Sequence, residues 1–123
     1  MEVQDIDFRM FARGVGDATT FKAGDVIFEQ GSAADAIWIV LSGAVKIEKG
    51  GTLIDHAGVN YAIGILSMVD NGPRSTTARA EEDSMLVRID QAKFRFMMEE
   101  MPNFGWYVTR QLAARLRATA SLI

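Results

Sequence analysis

The chain contains no cysteine and a single histidine among its 123 residues. Without cysteine, the chain has no disulfide bridges, no thiolate catalysis and no zinc–sulfur site. One imidazole is also too few for the multi-histidine metal centres of β-barrel enzymes. We therefore assign no catalytic and no metal-ligating residue from the sequence.

An excess of positive charge is also missing, since 13 Lys and Arg stand against 16 Asp and Glu, a formal net charge of −3. Proteins that bind nucleic acid neutralise phosphates with basic side chains, so we expect no direct DNA or RNA binding by this chain. The apolar runs, such as 36–41, are far shorter than the roughly 20 residues that cross a bilayer. Because the N-terminus carries Glu2 and Asp5 instead of a basic region and an apolar core, no signal peptide is predicted. We expect a cytoplasmic protein without a membrane-spanning segment.

The composition that remains, 49% hydrophobic and 24% charged residues, is typical of a globular domain. Short apolar or alternating segments separated by glycine-containing turns fill residues 20–89, which predicts an antiparallel sandwich or barrel. The strands predicted in this way are 26–28, 37–41, 45–48, 77–80 and 85–89. Ser42-Gly43 fits the tight turn of a hairpin, and 49–52 fits the next turn.

The period of the apolar residues changes to helical spacing after Asp90. Phe94, Met97 and Met101 predict a helix over 91–101 that Pro102 ends. A second helix, 104–123, is then capped by Asn103, and its apolar face has no terminating signal. This helix is therefore interpreted as truncated or as meeting a partner. A short N-terminal helix is predicted over 7–15.

The residues from 64 to 78, which we call the cassette, carry the strongest indication of chemistry. The cassette begins with Gly64 and a short apolar turn, and it continues after Gly72-Pro73 with Arg74 beside Ser75 and Thr76. A phosphate site needs a glycine for close backbone approach, a helix N-terminus that favours negative charge, and an arginine that grips two oxygens. The sequence therefore predicts an anion site at the cassette.

Two stretches together resemble the cyclic nucleotide-binding domain family, which includes catabolite activator-type regulators, regulatory subunits of protein kinase A and cyclic nucleotide-gated channels. The first stretch is the glycine-punctuated segment 21–31 with the following 37–45, and the second is the cassette. The resemblance covers roughly residues 8–123. It implies a mainly β fold: an antiparallel, jelly-roll-like β-roll of eight strands, with flanking N-terminal and C-terminal α-helices, in one domain over 1–123. The implied ligand in the roll is cyclic AMP (cAMP) or cyclic GMP (cGMP), with no other cofactor.

The resemblance also implies roles for individual residues. Arg74 would pair with the cyclic phosphate and Ser75 would add a hydroxyl contact, while the backbone N–H groups of Leu66 and Ser67 face the phosphate. The other residues included in the ligand-binding set are Gly64, Ile65 and Thr76, together with Thr119 of the last helix as a lid over the purine.

The cassette departs from the family pattern at one position. A glutamate that accepts a hydrogen bond from the ribose 2′-hydroxyl normally follows the first glycine, and this chain has Ile65 there. Isoleucine has no acceptor. Losing a hydrogen bond to a charged group lowers affinity roughly 10- to 150-fold. We therefore expect weakened rather than abolished nucleotide binding.

Three functions remain open from the sequence. The first is a non-enzymatic regulatory module that binds cAMP or cGMP and signals through its C-terminal helix to an effector domain or to a second copy in a homodimer. The second is a degenerate β-roll that has lost the nucleotide and acts as a protein-interaction or dimerisation domain; an Ile65→Glu change that creates binding would argue against it. The third, a β-barrel enzyme, is least favoured because metal-dependent members need several converging ligands. The chain is interpreted as a stand-alone domain or as a piece of a larger protein.

Overall fold

The structure is a computed structural model that describes Gly14 and residues 17–120, except for the side chain of Thr119. The predicted N-terminal helix, 7–15, falls outside these residues but for Gly14, and so do residues 121–123. The described strands are β1 (Asp17–Phe21), β2 (Val26–Phe28), β3 (Ala36–Ser42), β4 (Val45–Lys49), β5 (Thr52–Ala57), β6 (Ala62–Ile63), β7 (Thr77–Ala80) and β8 (Ser84–Asp90). The described helices are α1 (Ile65–Asp70), α2 (Gln91–Glu100) and α3 (Pro102–Ala120).

The strands form two antiparallel sheets of four strands each. The first sheet has the order β1-β8-β3-β6, and the second has the order β2-β7-β4-β5. The chain is thus mostly β, with helices at its C-terminal end, as predicted. None of the described helices is long and apolar enough to cross a membrane.

The first sheet is buried on both faces at its strand β3, whereas its edge strand β1 is exposed. Its outer face packs Ile37 and Ile39 against Phe94 of α2 and Phe104 and Tyr107 of α3. Its inner face packs against the second sheet, through a cluster of Val40, Val45, Ile47, Ala57, Ile63, Ala78 and Leu86. This double burial is the reason why 36–41 is a continuous apolar run instead of an alternating one.

The predicted hairpin at Ser42-Gly43 is wrong. The two flanking strands, β3 and β4, lie in different sheets, so Gly43 carries the chain from one sheet to the other. Gly43 has a φ of 89°, and a Cβ atom added there would collide with Ser84 and approach the carbonyl oxygen of Asp83 to 2.7 Å. The turn predicted at 49–52 is confirmed, because β4 and β5 pair as a hairpin around Gly50 and Gly51.

The junction between α2 and α3 also differs from the prediction. Pro102 is the first residue of α3, and Asn103 lies inside that helix instead of capping it. A proline is well placed at the first helical position, because the N–H that it lacks has no partner within the helix there. The rings of Phe94 and Phe104 meet edge to face with their centroids 5.8 Å apart, which joins α2 to α3 directly after the break.

Replacing Gly43 by alanine should destabilise the fold more than the same change at Gly24. Both glycines have a positive φ, 89° and 93°, but a Cβ at Gly24 meets nothing within 4 Å. Gly24→Ala should therefore cost only the backbone strain, about 1 kcal/mol, while Gly43→Ala adds about 1–3 kcal/mol of steric overlap. Urea unfolding followed by circular dichroism measures both, and equal midpoints for the two variants would contradict the close approach to Ser84.

Candidate functional site

Arg74 is the centre of the predicted site, and it is a buried charge, with 3% of its surface exposed. Its Nη2 donates to the carbonyl oxygen of Ala36 at 2.5 Å, and its Nη1 donates to that of Gly64 at 3.2 Å. The guanidinium also lies 4.1 Å from the centroid of the Phe28 ring. Arg74 thus connects the cassette to one strand of each sheet.

The buried guanidinium is not fully hydrogen-bonded. Its Nε is buried and has no hydrogen-bond partner among the described residues. Burial lowers the pKa of Arg74 from its usual value, the carboxylate of Asp35 opposes that effect, and Arg88 adds to it. An unpaired donor on a buried cation is costly, so an anion at Nε would be bound favourably.

The backbone of the cassette is shaped around Arg74. Gly64 has a φ of 85°, and a Cβ atom there would overlap the guanidinium of Arg74. The hydroxyl of Ser67 donates to the carbonyl oxygen of Pro73 at 2.9 Å, and the carboxylate of Asp70 accepts from the N–H of Gly72 at 2.8 Å. Glycine is therefore required at position 64 by backbone conformation and by contact.

A cavity of about 10 Å³ lies beside Arg74. Its lining residues are Phe28, Gly64, Leu66, Ser67, Arg74, Ser75, Thr76 and Arg115. Six of the eight predicted site residues are thus brought together. The volume holds one water molecule at most, whereas a small-molecule site usually has several hundred Å³. The cleft in this structure is therefore too narrow for a nucleotide, and we call it closed in that sense.

The two other predicted site residues are not seen in this cavity. The side chain of Thr119 lies outside the described part of the chain. Ile65 is 1% exposed and packs into the core cluster that includes Ile37, Met68 and Phe94, so its inclusion among the ligand contacts is not supported. The reason is physical: an apolar side chain at the start of α1 is more stable against β3 and α2 than facing a polar cleft.

Phe28 and Arg115 are the two cavity residues that the predicted site lacked, and Arg115 is the charged one. It comes from α3, and its positive charge acts on the hydroxyl of Tyr61. Burial raises the pKa of Tyr61, and Arg115 opposes that rise. Tyr107, Gln111 and Arg115 follow one another at a spacing of four residues, which places them on one face of the helix. This four-residue spacing of polar side chains is the pattern from which the sequence could have indicated Arg115.

The other two residues of this face fix α3 to strand β6. The N–H of Ala62 donates to the Tyr107 hydroxyl at 2.8 Å, and Gln111 Nε2 donates to the carbonyl oxygen of Ala62 at 3.0 Å. Both backbone groups of Ala62 are thereby satisfied by helix side chains, as they would be by a neighbouring strand. Arg115, one turn farther along α3, then reaches the cassette.

No group of three or more His, Asp, Glu or Cys side chains that could hold a metal ion occurs within the described ranges. The chemistry at this cleft is that of two guanidinium groups, several hydroxyls and backbone N–H groups. Such a set binds anions.

Comparison with known proteins agrees with this geometry. The family model described as cyclic nucleotide-binding domain matches residues 18–101. The chain belongs to the cyclic nucleotide-binding domain family. The resemblance noted in the sequence is thereby confirmed.

Individual relatives differ in what surrounds the domain. The chain is 33% identical over 101 residues to lysophospholipase NTE1 of Chaetomium globosum, a match of 78% of this chain and 7% of that protein. It is 31% identical over 104 residues to a CRP-like cAMP-activated global transcriptional regulator of Mycobacterium tuberculosis, which is 80% of this chain and 46% of the regulator. The chain therefore spans less than half the length of these curated relatives.

Solved structures confirm the fold. The catabolite activator protein of Thermus thermophilus superposes with a TM-score of 0.81 at 27% identity, over 90% of this chain and 55% of that one. The N-terminal domain of a transcriptional regulator from Streptomyces coelicolor A3(2) superposes with a TM-score of 0.68 at 26% identity, over 96% of this chain and 86% of that one.

Changing Ile65 to glutamate should destabilise the protein, because the new carboxylate would replace a side chain that is 1% exposed. We expect a loss of more than about 3 kcal/mol in the free energy of unfolding. Ile65→Val, the matched control, should cost about 0.5–1.5 kcal/mol. Chemical denaturation measures both. An Ile65→Glu protein as stable as the valine variant would show that the carboxylate turns toward the cleft.

The stability of the protein should fall between pH 10 and 12 because of Tyr107. Burial raises the pKa of Tyr107 from 10.0 to about 12, so its contribution is fully present below the pKa of the unfolded chain and is lost as the pH rises to the folded value. The fall attributable to this group is about 2–3 kcal/mol.

Tyr107→Phe should remove this pH dependence and cost about 1–3 kcal/mol at neutral pH, since the N–H of Ala62 loses its acceptor. Tyr61→Phe is the comparison, because burial raises the pKa of this second tyrosine in the same direction, and its removal should leave the part of the alkaline fall that belongs to Tyr107. Urea unfolding at a series of pH values measures the free energy of unfolding of each variant and so tests the assignment. An alkaline fall unchanged in Tyr107→Phe would refute the assignment.

Proposed function

We propose that the chain is a regulatory module that binds a cyclic nucleotide, cAMP or cGMP, at the cassette and transmits the signal through α3. The observation that carries this is the buried guanidinium of Arg74, whose Nε has no partner in the described part of the chain while its other nitrogens are held by backbone carbonyls. A group fixed in this way is preorganised for a phosphate oxygen. Membership of the family supports the same ligand class.

The remaining contacts in this proposal come from the cavity lining. The hydroxyls of Ser75 and Thr76 and the backbone N–H groups of Leu66 and Ser67 supply further donors to the phosphate. Because Ile65 lies in the core, the side chain at this position offers no acceptor for a ribose hydroxyl, and we keep the expectation of weakened affinity. The lid role of Thr119 also stays a prediction.

Signal transmission follows from the closed cleft. A cavity of about 10 Å³ is too small for a nucleotide, so binding in this proposal requires a wider cleft, in which the part of α3 that carries Arg115 has shifted relative to the cassette. A ligand that binds only the open conformation increases the open population. The displaced end of α3 then acts on an effector domain or on a second copy of the chain.

We assign the module no enzymatic activity and no cofactor other than its ligand. The lysophospholipase relative matches this chain over only 7% of its own length, so its name carries no activity over to this chain. The cytoplasmic location and the lack of direct nucleic-acid binding stay predictions from the sequence.

A second candidate is a protein-interaction or dimerisation domain without nucleotide. Two observations favour it: the closed cleft, and the replacement of a polar ligand contact by Ile65 in the core. The partner surface would be α3, where Trp106 and Leu116 are 59% and 70% exposed.

Calorimetric titration with cAMP and with cGMP separates the two candidates. Saturable binding by the unmodified protein supports the sensor, and Arg74→Lys should lower the affinity at least about tenfold, because lysine lacks the planar fork. Arg79→Lys is the matched control, since Arg79 bonds Glu48 and does not line the cavity. If the unmodified protein gives no heat of binding at millimolar nucleotide, and circular dichroism shows that it is folded, the result would favour the interaction domain.

A further inference from the structure

The cleft at the cassette carries an unusual balance of charge. Its lining contains two guanidinium groups, Arg74 from the cassette and Arg115 from α3, and three hydroxyl residues, Ser67, Ser75 and Thr76. None of the eight residues that line it carries a carboxylate. The lining itself therefore supplies two positive charges and no negative charge, and the carboxylate of Asp35 acts on Arg74 from outside the lining.

The position of Ile65 keeps this balance unchanged. A carboxylate next to Gly64 would add negative charge to the start of α1, but the residue there is apolar and lies in the core with Met68. The neighbouring lining residue, Leu66, is apolar as well. No lining residue of the cassette carries a negative charge that would balance the positive charge of Arg115.

Ligand charge is the property that such a lining distinguishes. A cyclic phosphate is a diester with one negative charge and two terminal oxygens. A phosphate monoester has three terminal oxygens and a charge of −1.5 to −2 at pH 7. Two arginines approaching from opposite elements can each pair with a separate oxygen of a monoester, and hydrogen bonds between ionised groups are the strong ones.

We propose that this cleft binds a dianionic phosphate monoester, such as a nucleoside 5′-monophosphate, more tightly than a cyclic nucleotide, with Arg74 and Arg115 each pairing with the phosphate. The inference rests on the proposed function in one respect, because it uses the same cleft and the same opening of α3. It differs in the charge of the preferred ligand and in the role of Arg115.

Arg115 is suited to this role by its place on α3. It lies one turn beyond Gln111, which is fixed to Ala62, and it lines the same cavity as Arg74 from a different element of the fold. In the closed structure its positive charge acts on Tyr61 and lowers the pKa of that hydroxyl against the effect of burial. A phosphate that enters the cleft would exchange this contact for a stronger one between two ions.

The test compares three ligands that share one base: adenosine 5′-monophosphate, cAMP and adenosine. Calorimetric titrations at one ionic strength and pH 7.5 should give an affinity for the monophosphate at least about tenfold higher than for cAMP. Adenosine, which has no phosphate, should bind weakest. The guanine series, GMP, cGMP and guanosine, repeats the comparison and removes any effect of the base.

Variants assign the preference to its residue. Arg115→Gln should lower the affinity for the monophosphate about tenfold and change that for cAMP less than about threefold. Arg110→Gln is the matched control, because Arg110 is on the same helix, lies 5.6 Å from the Trp106 ring centroid and does not line the cavity. It should leave both affinities unchanged.

The outcomes separate this inference from the proposed function. If cAMP binds and the monophosphate binds no more tightly, the charge inference is overturned and the cyclic-nucleotide sensor stands. If the monophosphate binds and neither cyclic nucleotide does, the inference stands and the cyclic-nucleotide function fails. Absence of binding by all ligands would overturn both. The comparison between ligands uses the unmodified protein, so it does not depend on the folding of any variant.

Discussion

The contacts of the buried Arg74 guanidinium are the interactions on which the geometry of the cleft depends. A buried cation is tolerated only when polar groups surround it, and here the carbonyls of Ala36 and Gly64 and the ring of Phe28 do so. The backbone of Arg74 adds hydrogen bonds to Ser32 and Gly31 at 2.9 and 2.8 Å. Because these partners belong to both sheets and to the cassette, folding itself places the charge. The site is therefore built before any ligand arrives.

The second constraint is the attachment of α3 to the first sheet. Tyr107 and Gln111 satisfy both backbone groups of Ala62, which precedes Gly64 by two residues. Up to Gln111 the helix has buried residues, but among those described after it none is buried. Motion is therefore least costly in the part of α3 beyond Gln111, where Arg115 lies. Opening the cleft can move this part without breaking the bonds to Ala62.

Local sequence patterns were sufficient for the strands with strong apolar character and insufficient for the others. The apolar strand at 26–28 was predicted with its observed bounds. β1 and β5 were missed because nearly all of their residues are exposed or half-buried, so apolar alternation is weak. β6 has only two residues, too few for any period. The assignment of β3 and β4 to different sheets depends on long-range pairing, which a turn sequence does not encode.

The site divides in the same way. Arg74 and its neighbours could be predicted, because a glycine, a helix start and an arginine stand within one segment, and that segment resembles the cassette of the cyclic nucleotide-binding domain family. The burial of the Ile65 side chain in the core and the presence of Arg115 in the cavity could not be predicted, since both depend on how α1 and α3 pack against the first sheet. Orientation around a helix axis is decided by tertiary contacts more than by the residue itself.

Ile65 also bears on the balance between the closed and open conformations. Its side chain contributes to the core beneath the cassette, so burial stabilises α1 in the position that the structure shows. The affinity of a ligand for an open cleft is reduced in proportion to the fraction of molecules that are open. Opening that displaces α1 would expose Ile65, so the burial of this side chain lowers the open fraction. The isoleucine also offers no acceptor to the sugar. The sensor and the nucleotide-free interaction domain are then two limits of one equilibrium between closed and open clefts. Its position depends on the free energy that a bound phosphate gains from Arg74 and Arg115, compared with the free energy that opening costs.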